Sequence, residues 1–249
     1  MENFQNKTLS TSLFKVEDVT PDNGCFYRSI ANSLNSQSNN PFDLKELKFV
    51  KKKENEFYNH TDFGLKGTKQ TELAKKLQEE SRLWLIKNKN NIYKELGITY
   101  KDLIENVHNL DIDEYEKFYK FWSGDAVFQY VAFGIYKSGK NKGQPKLKKV
   151  YFPDRWGGIP EIIALSNILE LPIIVFRPVK LNKHNIEVSG RIIKNKPEKK
   201  CRFKLYQISG KKFFNKNAIF LLWRKRSSKG DHYNVIYPNV PIKNIINII

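Results

Sequence analysis

Cysteine is nearly absent. Two residues, Cys25 and Cys201, in a chain of 249 exclude the disulfide framework of a small secreted domain and leave a free thiol available for chemistry in a reducing compartment. No Cys-x-x-Cys pair occurs, and His60, His108, His184 and His232 are scattered without metal-ligand spacing, so no metal site is expected. There is no glycine-rich phosphate loop and no internal repeat, and no organic cofactor is implied. No run of about 18 apolar residues exists to span a membrane. The opening Met1-Glu2-Asn3-Phe4-Gln5-Asn6-Lys7 has neither an apolar core nor a small-residue cleavage site. That argues against a secretory signal and for an intracellular, cytoplasmic protein.

Acidic residues are also in short supply, 26 against 44 Lys and Arg, for a formal charge of +18. Alone, such a balance points to an anionic partner, nucleic acid or a lipid surface. Here Lys, Asn and Ile are frequent together along the whole chain, as an AT-rich coding sequence produces, and this bias spreads lysine without regard to function. The bland explanation is therefore preferred, with Lys51-Lys52-Lys53 and Arg224-Lys225-Arg226 kept as candidate electrostatic footprints. The same AT-rich signature would suit a virus or parasite protein acting inside a host cell. An apolar content of 40% with 13% aromatics is enough for one core, and we expect a single domain over residues 1–249, acting as a monomer.

The informative stretch is Pro21-Asp22-Asn23-Gly24-Cys25-Phe26-Tyr27-Arg28-Ser29-Ile30. Asp22, Asn23 and Gly24 form a turn, and Phe26, Ile30 and Leu34 then recur every four residues, the period of a helix with one apolar stripe. Cys25 falls at the start of that helix, where unpaired backbone N–H groups and the positive end of the dipole favour a thiolate. The same N–H groups, Cys25 with Asn23 or Gly24, form a candidate oxyanion hole. A base for this nucleophile is offered by Gly230-Asp231-His232-Tyr233-Asn234-Val235-Ile236-Tyr237. Read as a strand, it puts His232, Asn234 and Ile236 on one face. Asn234 can then orient the His232 imidazole, completing a Cys-His-Asn triad.

At these residues the chain resembles the ovarian tumour (OTU) family of papain-like cysteine proteases, whose nucleophile motif runs Asp-Gly-Asn-Cys and whose histidine motif is His-Tyr-Asn or His-Tyr-Asp. A third match, Trp156-Gly157-Gly158-Ile159-Pro160-Glu161 through Ser166, followed by Ile173-Ile174-Val175-Phe176, lies between them in the family's order. Asn23 and Gly24 are inverted relative to the motif, which leaves the nucleophile in place and leaves open which N–H groups line the oxyanion hole. The resemblance implies an α+β papain-like fold, a central, mostly antiparallel sheet flanked by helices with a helical N-terminal half. It also implies a deubiquitinase that hydrolyses isopeptide bonds after the C-terminal glycine of ubiquitin or a ubiquitin-like modifier. Cys25 is then the nucleophile and His232 the general base and acid. Asn234 ranks first as the orienting residue, and Asp22, which matches the first motif position, is the alternative or a helix cap. Two rival functions remain: a basic module binding nucleic acid or anionic lipid on an inactive fold, and a cysteine protease of non-ubiquitin substrates.

Elsewhere the pattern predicts a short-strand lead-in anchored by Leu13, Phe14 and Val16. Helices are expected over 41–58, 68–89, from 111 through an aromatic stripe of Tyr115, Phe118, Tyr119 and Trp122, from 124 through Ile135, and from Pro160. The residues 41–125 are the expected modifier-binding region. A basic linker is expected over 137–149. Strands are expected at 173–176, buried on both faces, and at 186–193, 203–208 and 218–223. A basic loop over 224–230 is expected to lead into the His232 strand, and the isoleucine-rich tail is expected to pack on the domain or a partner.

Overall fold

A computed structural model describes residues 7–20, 23–36, 68–118, 122, 128–151, 157–214, 217–226 and 230–249. Its centre is a seven-stranded mixed sheet. The strands β1 (Thr8–Ser10) and β2 (Phe14–Glu17) form its two ends; between them lie β7 (Ile173–Leu181), β11 (Arg202–Ser209), β12 (Ile219–Arg226) and β13 (Gly230–Pro238), in the order β1-β11-β7-β12-β13-β2. The strand β8 (Glu187–Ser189) pairs with β7 off this path. Only β7 and β12 run parallel; every other pairing in this sheet is antiparallel. The fold is α+β, as the sequence implies.

Both faces of the sheet are covered, which is why its central strands read as continuous apolar runs. Ile173, Val175, Ile219, Leu221 and Tyr233 face one core with the helix α1 (Cys25–Ser36), while Ile174, Phe176, Phe220, Leu222 and Ile236 face another. In that second core Phe14 lies 5.5–6.0 Å from the rings of Phe176, Phe203 and Phe220. Ile245 of the C-terminal helix α6 (Ile242–Ile246) closes it, so the isoleucine tail packs on the domain itself.

The helix α1 is enclosed between the sheet and α2 (Thr68–Lys87). Phe26, Tyr27, Ile30, Ala31 and Leu34 are buried; full burial of one large apolar side chain stabilises by roughly 1.5–3 kcal/mol. Polar residues of α1 are buried too, and two of them bond across the helix pair: Arg28 Nη1 donates to Thr71 Oγ1 at 2.7 Å, and Gln70 Nε2 donates to Asn32 Oδ1. Arg28 bridges two helices and lies over the Trp122 ring. A third core joins α2 to α3 (Tyr100–His108), α4 (Ile112–Phe118) and α5 (Ile159–Leu169). Tyr115 and Trp122 of the expected aromatic stripe are buried. The expected helix over 41–58, the Phe118 side chain and Tyr119 lie outside the described residues.

Four expectations are corrected. The helix expected through Ile135 is the strand β5 (Phe128–Ile135), and the expected linker ends in its partner β6 (Pro145–Tyr151). A run rich in Phe, Tyr, Val and Ile is ambiguous by period alone, and pairing with the strand across the following loop decides it. Between the two strands Gly139 and Gly143 take φ values of 83° and 86°, conformations in which a Cβ is strained. The strand expected at 186–193 is broken into β8 and β9 (Ile192–Ile193), the latter pairing with β10 (Lys196–Pro197). Gly190 sits at the break, where a Cβ would lie 2.5 Å from Cys201 Sγ. The helical region contains the small hairpin of β3 (Ile92–Tyr93) and β4 (Ile98–Thr99). Finally, β12 continues through Arg226, so Arg224 is a strand residue and not part of a loop.

Candidate active site

Cys25 opens α1, whose first turn closes when Arg28 N–H donates to the Gly24 carbonyl at 3.0 Å. The thiol is buried, with 4% of the residue exposed, and its sulfur accepts from the backbone N–H of Tyr233 at 3.4 Å. The contact is made past the end of the β2 ladder: β2 pairs with β13 only from Val235 onward, so at Tyr233 the edge of β13 is open to Cys25. The neighbours lock this junction, since Phe26 packs edge-on against Tyr233 with ring centroids 5.2 Å apart. The nucleophile candidate therefore lies one residue along the strand from His232. A backbone donor aimed at sulfur favours the thiolate over the thiol.

Register decides what stands behind the imidazole. Arg224 pairs with His232 across β12 and β13, and Val16 pairs with Ile236, so alternation puts Arg224, His232, Asn234 and the next inward residue after Val16 on one face. That residue is Asp18. Its Oδ1 lies 2.6 Å from His232 Nε2, 2.7 Å from Asn234 Nδ2 and 3.0 Å from Arg224 Nη2. Burial pushes the Asp18 carboxyl up, but its hydrogen bond and attraction to His232, with Arg224 and Asn234, outweigh this and hold it at about 2. An ionised carboxylate only accepts, so Nε2 carries the imidazole proton and Nδ1 is left as the unprotonated nitrogen.

The contact expected of Asn234 is thus corrected. Its amide donates to Asp18 Oδ1 and to the Glu17 carbonyl, and its Oδ1 meets no hydrogen-bond partner among the described residues. Asp18, 214 positions from His232, was missed because no local motif marks it. A signal was present all the same: Phe14 and Val16 point inward in β2, and an acid at the next inward position breaks the alternation. Asp22 lies outside the described residues. Gly24 is buried and Asn23 half-buried beside Cys25.

The glycines of the third motif have a steric reason. A Cβ on Gly157 would lie 1.9 Å from Phe26 Cδ1, so only glycine lets this segment press against the residue that follows Cys25. Gly158 N–H donates to Glu161 Oε2 at 2.8 Å and starts α5. Trp156 lies outside the described residues. The second cysteine is no rival to the first: Cys201 is buried, and burial together with Glu198 pushes its thiol up. Among the described residues, no group of three or more His, Cys, Asp or Glu is placed to hold a metal ion, and no helix is long and apolar enough to cross a membrane.

The sequence profile of the OTU-like cysteine proteases matches residues 20–233, which takes in both Cys25 and His232. The chain belongs to the OTU-like cysteine protease family. Among solved structures, the OTU domain of OTUD1 is 13% identical, with 90% of this chain and 85% of that one covered, at a TM-score of 0.36. The Hazara virus OTU, solved bound to ubiquitin, is 16% identical, with 95% and 89% covered, at a TM-score of 0.39. No curated protein sequence matches the chain.

Proposed function

We propose that this OTU protein is a thiol isopeptidase that cleaves after the C-terminal glycine of ubiquitin or a ubiquitin-like modifier. The observation that carries the chemistry is the seating of Cys25 Sγ on the Tyr233 N–H, one residue from an imidazole already bound to a carboxylate. His232 Nδ1 takes the thiol proton and the thiolate attacks the carbonyl carbon. The oxyanion then receives N–H donors from Cys25 with Asn23 or Gly24. The imidazolium returns its proton to the departing lysine amine as the C–N bond breaks, leaving a thioester. Water deprotonated by the same imidazole releases the modifier's carboxylate and the thiol. Asp18 stabilises the imidazolium throughout, and Asn234 supports Asp18.

The choice of modifier rests on the family, whose characterised members are mostly deubiquitinases, and on access. Cys25 is buried, and a glycine tail is the slenderest chain a protein can offer to reach it. The region 41–125, of which α2, α3 and most of α4 are described, supplies part of the surface for the modifier's body. A ubiquitin probe with a C-terminal electrophile tests the proposal. Wild type is expected to gain one probe mass at Cys25 and Cys25→Ala none; an unmodified wild type, or an adduct that survives Cys25→Ala, rejects it.

A further inference from the structure

We propose that Arg224 is a positioning residue of this site: its guanidinium clamps the Asp18 carboxylate and so fixes the His232 ring toward Cys25. The inference rests on the thiol-protease reading above and adds a residue to it. Asp18 is the first residue beyond the β2–β13 ladder, whose last pair is Glu17 with Val235. Its side chain is 37% exposed. A carboxylate so placed, held by one imidazole alone, would trade that bond for water and swing outward. Two further donors on the same oxygen prevent it, and Arg224 is the charged one.

The clamp is rigid because it is anchored at both nitrogens. Nη2 meets Asp18 at 3.0 Å, Nη1 donates to the Ile192 carbonyl of β9 at 3.1 Å, and the side chain is 14% exposed. A planar fork fixed at two points cannot rotate without losing one bond, which a lysine ammonium cannot imitate. The strand register supplies the aim, since Arg224 and His232 are directly paired and leave the sheet on the same face. A purely structural role would instead have Arg224 pinning the β9–β10 hairpin, with no consequence for Cys25.

Alkylation of Cys25 by iodoacetamide at mildly acidic pH, resolved from Cys201 by peptide mass, separates the two. Arg224→Met and Asp18→Asn are each expected to slow Cys25 by about tenfold, the scale of a lost supporting contact. Because one acts through the other, the double variant is expected to be no slower than Asp18→Asn alone. Arg224→Lys, which keeps the charge and gives up the second anchor, should fall between wild type and Arg224→Met. A rate for Arg224→Met within about twofold of wild type, or a slowing that adds in full to that of Asp18→Asn, overturns the clamp. Should Arg224→Met fail to fold, Arg224→Lys decides, an unchanged rate overturning it. Alkylation needs no modifier, so a wild type that ignores the ubiquitin probe rejects the substrate proposal and leaves this test standing.

Discussion

His108 and His232 each meet a carboxylate oxygen, 2.9 Å from Glu161 and 2.6 Å from Asp18, yet the two pairs have opposite surroundings. The first is sealed between α3 and α5, with 6% of the His108 side chain and none of Glu161 exposed. Tyr115 O–H donates to Glu161 at 2.6 Å and the buried Arg82 guanidinium adds its charge. The second pair has a half-open carboxylate and a thiol one residue away. An imidazole beside a carboxylate is thus a structural element in one place and candidate machinery in the other. The thiol seated on the next residue of the strand makes the difference.

The largest effects should divide along that line. His232→Ala is expected to lower kcat by on the order of 10⁴-fold, as loss of a base acting jointly with its nucleophile does, with little change in the urea midpoint. His108→Ala should do the reverse: removing one partner of a buried ion pair costs up to roughly 3–5 kcal/mol, an upper bound because Tyr115 and Arg82 still face Glu161, while turnover per folded molecule persists. Paired kcat and urea measurements check both, and a His108 variant that is stable but inactive would break the comparison.

Acid should act mainly on the sealed pair. Burial pushes the Glu161 carboxyl up, but His108, Arg82 and Tyr115 outweigh it and hold the group at about 2 against the usual 4.5. A depressed carboxyl contributes stability that is fully present above its unfolded value and lost as pH falls through its folded value. The window therefore runs from about 4.5 down to about 2, and the loss across it is roughly 3 kcal/mol. The Asp18 carboxyl shifts in the same direction, but its exposure to solvent weakens the contribution. Urea midpoints across the window should fall for wild type and stay nearly flat for Glu161→Gln; equal slopes would shift the weight to Asp18.

The smallest effect belongs to the segment between the two pairs. Gly157→Ala is expected to cost about 1–3 kcal/mol by overpacking and to slow Cys25 by displacing Phe26. Gly158→Ala meets the Val107 methyl at 3.1 Å, His108 Cε1 at 3.5 Å and Glu161 Oε2 at 3.7 Å, all but the first at ordinary contact distance, and should cost less than about 1 kcal/mol. Thermal melts with probe labelling distinguish them; equal penalties would mean that Phe26 does not transmit the contact to the thiol.

Much was readable locally, because turn chemistry and periodicity act over a few residues. The Asn-Gly turn and the four-residue spacing of Phe26, Ile30 and Leu34 marked Cys25 as the start of a helix. The apolar run at Ile173 marked a strand buried on both faces, and the motif order pointed to the family. Three decisions were out of sight: β5 and β6 as a hairpin, Asp18 as the partner of His232, and Arg224 as the partner of Asp18. Each depends on strand pairing, and the last two contacts join residues more than two hundred positions apart. Periodicity tells which face a side chain takes, but which strand lies alongside, and in what register, is settled only when the whole sheet closes over its cores. The chain alone determined a thiol, an imidazole and the family they belong to; the folded sheet decided which carboxylate stands behind the ring.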